Sequence, residues 1–242
     1  MFSRPPTVVL RRLFSGGKRR GKNARGKAAQ KGKNSSSARW MQRQEKDPYV
    51  ARAAIEGYRS RAAFKLVEIN KKHKMLKRNM KILDLGCAPG SFLQVAQQQA
   101  GGSRIVGVDL LEMDPIKGVE FLQGDFEDEA TCRELSCMLR GPVDLVMSDM
   151  APSFCGIKDV DAARMRSLHF SVLSFLPQNL AVNGTFVTKI FRGQYDQEMI
   201  KAARGLFSKL HIEKPRSSRS ESAEIYLVGL KYNGQEERSS VE

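Results

Sequence analysis

The sequence lacks the features of several protein classes. Its four cysteines have no C-x-x-C spacing, and its three histidines lie far apart along the chain, so neither residue type shows the spacing typical of zinc sites. We therefore expect no bound metal and expect free thiols in a reducing compartment. No apolar run approaches the ~20 residues that a membrane-spanning helix needs, so we expect a chain without a membrane span.

Acidic residues are absent from the first 44 positions. That segment holds 13 of the 41 Lys and Arg residues, and the other 28 stand against 26 acidic residues. Of the formal net charge of +15, the N-terminal segment therefore carries +13 and the remainder of the chain +2. The remainder of the chain, if it binds nucleic acid, must do so through local clusters of basic residues.

The N-terminal segment has the composition of a targeting sequence. Its first 15 residues, MFSRPPTVVLRRLFS, mix basic and apolar residues without acids, which is typical of a mitochondrial transit peptide. The residues up to 44 are of low complexity and are predicted to be disordered. A nuclear or nucleolar basic signal and a solvated tail are the alternatives. We expect location in the mitochondrial matrix, with nucleolar or cytoplasmic location as alternatives.

At 242 residues the chain has room for one full domain and tails. We assign a transit peptide and disordered basic tail to 1–44, a folded domain to 45–232 and a disordered C-terminal tail to 233–242. Nothing in the sequence indicates an oligomer, and we expect a monomer.

Short apolar runs alternate with amphipathic stretches from residue 81 onward, which predicts an α/β fold. The predicted strands are 81–86, 104–110, 119–123, 143–149, 184–191, 210–215 and 223–230. The predicted helices are 48–76, 91–100, 128–140, 160–182 and 196–208. Strands with helices between them indicate a parallel sheet covered on both faces. The loop between the last two strands is too short for a crossover helix, so we expect the last strand to be antiparallel.

A glycine-containing turn, DLGCAPGSF at 84–92, follows the first strand and precedes a helix. Gly86 and Gly90 allow the backbone to approach a ligand closely. In open α/β sheets, ligands bind at the carboxyl ends of the strands, beside the switch in strand order. The spacing is not G-x-G-x-x-G, which favours a smaller adenosyl ligand over a dinucleotide.

Two further acids stand at strand ends. Asp109 ends the second strand and can accept hydrogen bonds from ribose hydroxyls, and Asp125 ends the third and can accept one from an adenine amino group. Phe126 or Leu110 would cover the ring. With Asp84, these acids suit a cationic ligand such as S-adenosylmethionine. The alternative is that each is an ordinary turn residue.

Four residues in separate short motifs complete the pattern: Lys65 in RSRAAFKL, Asp149 in SDMAP, Lys189 in TKIF and Glu224 in AEIY. Asp149 and Lys189 end consecutive predicted strands, so we expect them to lie side by side. The alternative is that both lysines are solvated surface residues.

These motifs together resemble the RrmJ/FtsJ family of ribosomal RNA 2′-O-ribose methyltransferases, closest to the mitochondrial ribosomal RNA branch. The resemblance covers about 45–232 and is carried by RSRAAFKLVEI, DLGCAPGSF, VDLLEMDPIKGVEFLQGDF and SDMAPS, in the family's order. It implies a Rossmann-like class I methyltransferase fold, with a seven-stranded, mostly parallel sheet, helices on both faces and the last strand antiparallel. It implies the cofactor S-adenosyl-L-methionine, and it implies the catalytic residues Lys65, Asp149, Lys189 and Glu224. The implied cofactor-binding residues are Asp84, Gly86, Ala88, Pro89, Gly90, Phe92, Asp109, Asp125, Phe126 and Asp149.

The sequence departs from the family pattern at three positions. Ser91 and Phe92 stand where the family usually has a glycine and a tryptophan, and Ser153 stands where it usually has an asparagine. Ser91 and Phe92 bear on cofactor affinity, and Ser153 bears on the rate of the reaction.

A ribose 2′-hydroxyl keeps its proton at neutral pH, so the enzyme must orient it and remove or weaken that proton. A lysine can accept a proton only when it is neutral, a state that burial or a nearby cation favours. We expect Lys189 to contact the hydroxyl and Asp149 to lie beside the methyl-transfer point. Lys65 and Glu224 are expected to orient Lys189 and the ribose.

The expected activity is S-adenosylmethionine-dependent 2′-O-methylation of a ribose, with uridine as the expected nucleoside, in mitochondrial large-subunit ribosomal RNA within an assembly particle. The alternatives are a transfer RNA or mRNA-cap ribose methyltransferase, and a ribosome-assembly factor with the same fold and little turnover. Phosphate contacts would position the RNA without reading its sequence. The residues expected to make them are Arg59, Arg61, Arg192 and Arg219, with Arg216 and the 71–78 run as further candidates.

Overall fold

The computed structural model describes residues 47–193 and 196–234. The predicted tail at 1–44, and 233–242 apart from its first two residues, lie outside the described residues, so their assignments remain predictions. Among the described residues, no helix is both long and apolar enough to cross a membrane.

Two short helices precede the sheet, where the sequence predicted one segment at 48–76. Helix α1 (Pro48–Glu56) begins where the Asp47 carboxylate accepts a hydrogen bond from the Tyr49 amide. It ends at Gly57, whose φ of 75° is left-handed. Helix α2 (Ala62–His73) follows after a short turn and carries Lys65. The single-helix prediction was therefore wrong, because Gly57 ends the first helix.

In the rest of the described chain, strands mostly alternate with helices, but β3 follows β2 and β7 follows β6 without a helix between them. They are β1 (Lys81–Leu85), α3 (Ser91–Gln99), β2 (Arg104–Asp109), β3 (Val119–Gln123), α4 (Glu129–Leu139), β4 (Val143–Ser148), α5 (Lys158–Asn179), β5 (Leu180–Phe191), α6 (Asp196–Leu206), β6 (Phe207–Glu213) and β7 (Glu224–Tyr232).

The seven strands form one sheet in the order β3-β2-β1-β4-β5-β7-β6. The β1–β2, β1–β4, β2–β3 and β4–β5 pairs are parallel, and β7 is antiparallel to both β5 and β6. The predicted mostly parallel sheet with a reversed last strand is confirmed. The strand order switches direction between β1 and β4, which is where such sheets bind ligands.

Each face of the sheet is covered by a separate apolar layer, because successive side chains of a strand point to opposite faces. In β4, Leu145 and Met147 pack in the layer with α2 and α3, whereas Val146 packs in the layer with α4, α5 and α6. The first layer holds α2, and with it Lys65, over the carboxyl half of the sheet.

Some boundaries differ from the predictions. Leu180 was predicted to lie in a helix over 160–182, but its backbone is extended and it pairs with Val143 of β4. β6 begins at Phe207 and ends at Glu213 rather than spanning 210–215, since Phe207 pairs with Tyr232. Pro215, which lacks an amide hydrogen, lies beyond the strand.

Candidate active site

The turn after β1 is held tightly against its neighbours. The Gly86 amide donates to the Val108 carbonyl at 2.8 Å, and the φ of Gly86 is 69°. A Cβ at this position would lie 1.9 Å from Met150 Cγ. Glycine is therefore required at position 86 both by backbone conformation and by the side chain that follows β4.

Gly90 at the end of the same turn has a φ of 102° and starts α3. A Cβ there would lie 2.9 Å from a guanidinium nitrogen of Arg59. Arg59 donates to the Pro89 carbonyl at 2.8 Å and to the Pro115 carbonyl at 3.0 Å. Arg59, which was predicted to contact RNA, thus ties the turn to the loop after β2.

A cleft of about 500 Å³ opens at the carboxyl ends of β1 to β4. Among the predicted cofactor residues, its lining includes Gly86, Ala88, Asp109, Asp125 and Phe126. Exposed Leu110 and Leu111 also line it, as do Met150 to Ser153 after β4. The other predicted cofactor residues, Asp84, Pro89, Gly90, Phe92 and Asp149, are not part of this lining.

The carboxylates of Asp109 and Asp125 are already held by backbone amides. Asp109 accepts from the Ala88 amide and from the Leu111 amide, both at 2.8 Å. Asp125 accepts from the Glu127 amide at 2.9 Å. Each carboxylate oxygen has a further lone pair, so these bonds fix the acids while leaving acceptor capacity for a ligand.

Asp84 at the end of β1 is buried, with 1% of its surface exposed. Neither carboxylate oxygen has a hydrogen-bond partner within the described part of the chain. Burial raises the pKa of Asp84 well above its ordinary value, and the nearby carboxylates of Asp149 and Asp109 raise it further. A buried acid without a partner beside two other acids would be stabilised by a cationic ligand.

The first pair of candidate catalytic residues joins the ends of β4 and β5. Lys189 Nζ lies 3.2 Å from Asp149 Oδ1 and donates to the Asp149 carbonyl at 2.5 Å. The adjacency expected for two consecutive strand ends is confirmed, because Ser148 pairs with Thr188 in the parallel register of these strands. Lys189 is buried, so it is not a solvated surface residue.

The second pair joins α2 to the start of β7. Lys65 Nζ lies 2.8 Å from Glu224 Oε1 and 3.0 Å from Oε2, and Lys65 is buried. Burial acts to raise the pKa of Glu224, but the charge and hydrogen bond of Lys65, a hydrogen bond from Ser218 and the charge of Lys189 together lower that pKa below its ordinary value.

Tyr226 lies between the two pairs, and the sequence analysis missed it. It is directly opposite Lys189 in the β5–β7 register, and its hydroxyl donates to Asp149 Oδ1 at 2.5 Å. Lys65 Nζ is 5.7 Å from the centre of its ring. Burial and the neighbouring Asp149 raise the pKa of Tyr226 well above its ordinary value, so its proton stays on the hydroxyl. Its position two residues after Glu224 on the same strand face was the available signal.

His169 on α5 is a second residue that the sequence did not reveal. It is buried, and its Nε2 has no hydrogen-bond partner in the part of the protein that the structure covers. Burial lowers its pKa to about 4; a hydrogen bond to the Lys189 backbone opposes this shift and the Lys189 ammonium adds to it. A neutral imidazole therefore supports the strand that carries Lys189.

The two departures in the glycine turn have structural partners. Ser91 Oγ lies 2.7 Å from Ser60 Oγ, which links the start of α3 to the turn before α2. Phe92 packs in the core with its ring 6.4 Å from that of Tyr226. The carbonyl of Ser153, the third departure, accepts from Arg164 at 2.9 Å.

The arginines predicted to contact RNA differ in their surroundings. Arg61 is paired with Asp47 and donates to the Ser217 carbonyl, and Arg219 Nε lies 3.2 Å from the same Asp47 carboxylate. Arg192 is exposed beyond the end of β5. RNA contact by these residues remains a prediction, and Arg59, Arg61 and Arg219 also have partners inside the protein.

The sequence profile of FtsJ-like methyltransferases matches residues 58–232. The chain belongs to the FtsJ-like methyltransferase family. It is 48% identical over 198 residues to a protein of Methylobacillus flagellatus named ribosomal RNA large subunit methyltransferase E, covering 81% of this chain and 96% of the relative. A protein of the same name from Acidiphilium cryptum is 44% identical over 216 residues, 89% of this chain and 95% of that protein.

A solved structure shares the fold. It is a protein of Plasmodium falciparum assigned as a ribosomal RNA methyltransferase, 34% identical, with a TM-score of 0.67 over 74% of this chain and 100% of that one. The chain is therefore an FtsJ-like methyltransferase.

Proposed function

We propose that this methyltransferase transfers a methyl group from S-adenosylmethionine to the 2′-hydroxyl of a ribose in large-subunit ribosomal RNA. The observation that carries the proposal is the placement of Lys189–Asp149 and Lys65–Glu224 on either side of Tyr226, at the carboxyl edge of the sheet and next to the cleft. Two buried lysines, each paired with an acid, suit a reaction that needs proton removal and fixed charge but no covalent intermediate.

The cleft suits S-adenosylmethionine in size and in charge. Its volume of about 500 Å³ lies within the usual range of ligand pockets. Asp109 and Asp125 would hold the ribose hydroxyls and the adenine amino group, beside Leu110 and Phe126. Asp84, buried and without a partner among the described residues, would favour the cationic methionine end of the ligand.

The chemistry assigned to the residues is simple. The bound cofactor supplies a methyl group on a sulfonium. The 2′-oxygen forms a bond to the methyl carbon as the carbon–sulfur bond breaks, and the bonding electrons leave with sulfur. Lys189 is assigned to take the 2′-proton: its amine first releases one of its own protons to water, accepts the 2′-proton as the oxygen–carbon bond forms, and later passes that proton to water. Asp149 holds the Lys189 nitrogen through two contacts, while Lys65 and Glu224 orient the ribose.

Two observations support RNA as the substrate. The relatives in two bacteria are named for a methyltransferase of large-subunit ribosomal RNA. Phe154 is 57% exposed and packs edge-to-face on Phe191, whose ring centre lies 5.8 Å from Lys189 Nζ. An exposed aromatic ring at this distance from the reaction site suits stacking on a splayed-out RNA base.

The proposal has three further parts. Uridine is the methylated nucleoside, an assembly particle is the form of the substrate, and the mitochondrial matrix is the location. The support for the matrix is the acid-free, arginine-rich composition of residues 1–44. The support for a particle is that phosphate contacts alone would not choose one nucleotide in naked RNA.

The test is methylation in vitro with an isotope-labelled methyl donor. The full chain is incubated with large-subunit particles, deproteinised large-subunit RNA, transfer RNA or capped RNA, and the digested nucleosides are analysed by mass spectrometry. We expect a single 2′-O-methylated nucleoside from a large-subunit substrate and none with Lys189→Ala. Label in transfer RNA or cap nucleosides alone would replace the substrate assignment. No label with any RNA, despite cofactor binding, would favour an assembly factor.

A further inference from the structure

His73, His211 and Glu213 are brought together by the fold, although 138 positions separate His73 from His211. His73 is the last residue of α2. His211 and Glu213 are alternate residues of the edge strand β6 and therefore point to the same face. The two imidazole rings lie 4.8 Å apart between centres, and His73 Nε2 lies 2.8 Å from Glu213 Oε1.

The three side chains fit a tetrahedral metal site. One ligand atom from each can be chosen so that all three lie within 4.8 Å of one another. Zinc bonds of about 2.0–2.1 Å to nitrogen and oxygen place neighbouring ligand atoms about 3.3 Å apart in a tetrahedron, a separation that small side-chain rotations would reach here. Two imidazoles and one carboxylate are a known zinc ligand set with a fourth position for water. Imidazole nitrogens favour zinc over magnesium or calcium.

We propose that His73, His211 and Glu213 form a Zn²⁺-binding site on the edge of the sheet. The site is separate from the methyl-transfer cleft and does not depend on the proposed function. The expectation of no metal came from the sequence spacing of the cysteines and histidines, which says nothing about residues that helix packing brings next to a strand.

Lys72 would compete with a metal ion for the Glu213 carboxylate. Its Nζ lies 2.8 Å from Glu213 Oε1 and 2.9 Å from Oε2, and its side chain is 64% exposed. A flexible exposed ammonium costs little to displace. Lys72 therefore neutralises the carboxylate when the metal is absent, and its removal should strengthen metal binding rather than weaken it.

Metal binding would join the end of α2 to β6. Lys65 lies two turns earlier on the same helix, so the bound ion would hold the helix that carries one catalytic lysine. Because the ion binds the folded state, Zn²⁺ should raise the thermal midpoint of the wild-type chain.

The experiment is calorimetric titration of the chelator-treated full-length chain with ZnCl₂. Cys137 and Cys155, the two exposed thiols, are replaced by serine in every sample to remove thiol binding. We expect one ion per chain and a Zn²⁺-dependent rise in thermal midpoint. His211→Ala should weaken binding by more than about 100-fold, since loss of a supporting group around the ligands already costs about 10–100-fold.

Two further variants serve as comparisons. Lys209→Ala changes an exposed residue two positions before His211 on β6 and should leave the affinity for Zn²⁺ unchanged. Lys72→Ala should raise that affinity. Cobalt in place of zinc should give the visible absorption of a tetrahedral site, and His73→Ala should remove it. No heat of binding at millimolar ZnCl₂, or equal affinity in wild type and His211→Ala, would overturn the proposal.

Discussion

Replacement of Lys189 by alanine is the most informative perturbation of the proposed active site. Within the described residues, Lys189 Nζ makes two polar contacts, both to Asp149. Its removal leaves Asp149 held by the Tyr226 hydroxyl at 2.5 Å, so Met150 and Ala151, which line the cofactor cleft, should stay in place. We therefore expect cofactor affinity to survive in this variant.

The expected loss is in turnover. A general base contributes about 10²–10⁴-fold, which corresponds to about 3–5 kcal/mol of activation free energy. The loss should fall mainly on kcat, because proton removal matters most in the transition state. Lys189→Arg should not restore activity, since a guanidinium stays charged and cannot accept the proton.

Single-turnover methylation on ribosomal particles and on naked RNA measures this loss, with calorimetry of cofactor binding as the control. Lys65→Ala should cost less than Lys189→Ala if Lys65 only orients its partners. A Lys189→Arg enzyme with a near-normal rate would refute the base assignment. Lys189 would then act as a fixed positive charge, and the proton would leave by another route.

Three single substitutions and one truncation test other parts of the account. Asp109→Ala should weaken cofactor binding by about 1–3 kcal/mol, and unchanged affinity by calorimetry would remove Asp109 from the site. Gly86→Ala should lower the unfolding free energy by about 1–3 kcal/mol, because of its φ of 69° and the overlap with Met150; Gly101→Ala, with open space around it, is the control in denaturant titrations. The pKa of Glu224 is lower in the folded state than in the unfolded state, so the ionised carboxylate stabilises the folded chain. That stabilisation is fully present above the unfolded pKa of about 4.3 and is lost as the pH falls through the lower folded pKa. The unfolding free energies of wild type and Glu224→Gln should therefore differ at neutral pH and converge in acid, and a constant difference would contradict this. A chain without residues 1–40 should methylate its RNA substrates, free or in particles, at the rate of the full chain but fail to enter mitochondria, and imaging of the full-length chain outside mitochondria would refute the targeting role.

Much of the sheet was predictable because its strands are short apolar runs that end in polar residues. The adjacency of Asp149 and Lys189 follows from two consecutive parallel strands that end at the same edge. The break at Gly57 and the start of β5 at Leu180 were missed for local reasons. Gly57 adopts a left-handed conformation within an otherwise helical pattern, and Leu180 fits the helical spacing but pairs with Val143.

Several contacts between segments that are distant along the chain were not predicted. Tyr226 reaches Asp149 only because β7 inserts between β5 and β6. The same insertion brings Glu224 next to α2, where its carboxylate pairs with Lys65. The pairing of Arg61 with Asp47 and the approach of His73 to β6 also depend on how helices α1 and α2 pack on the sheet, which no local pattern specifies.

The central claim is that this site methylates a ribose 2′-hydroxyl in large-subunit ribosomal RNA. Mass spectrometric mapping of ribose methylation on mitochondrial ribosomal RNA, from cells with the wild-type chain, without it, or with Lys189→Ala at equal abundance, tests that claim most directly. The account predicts one 2′-O-methylated nucleotide that depends on the wild-type chain and is absent in the other two. An unchanged methylation map without the protein, or a full signal with Lys189→Ala, would contradict it.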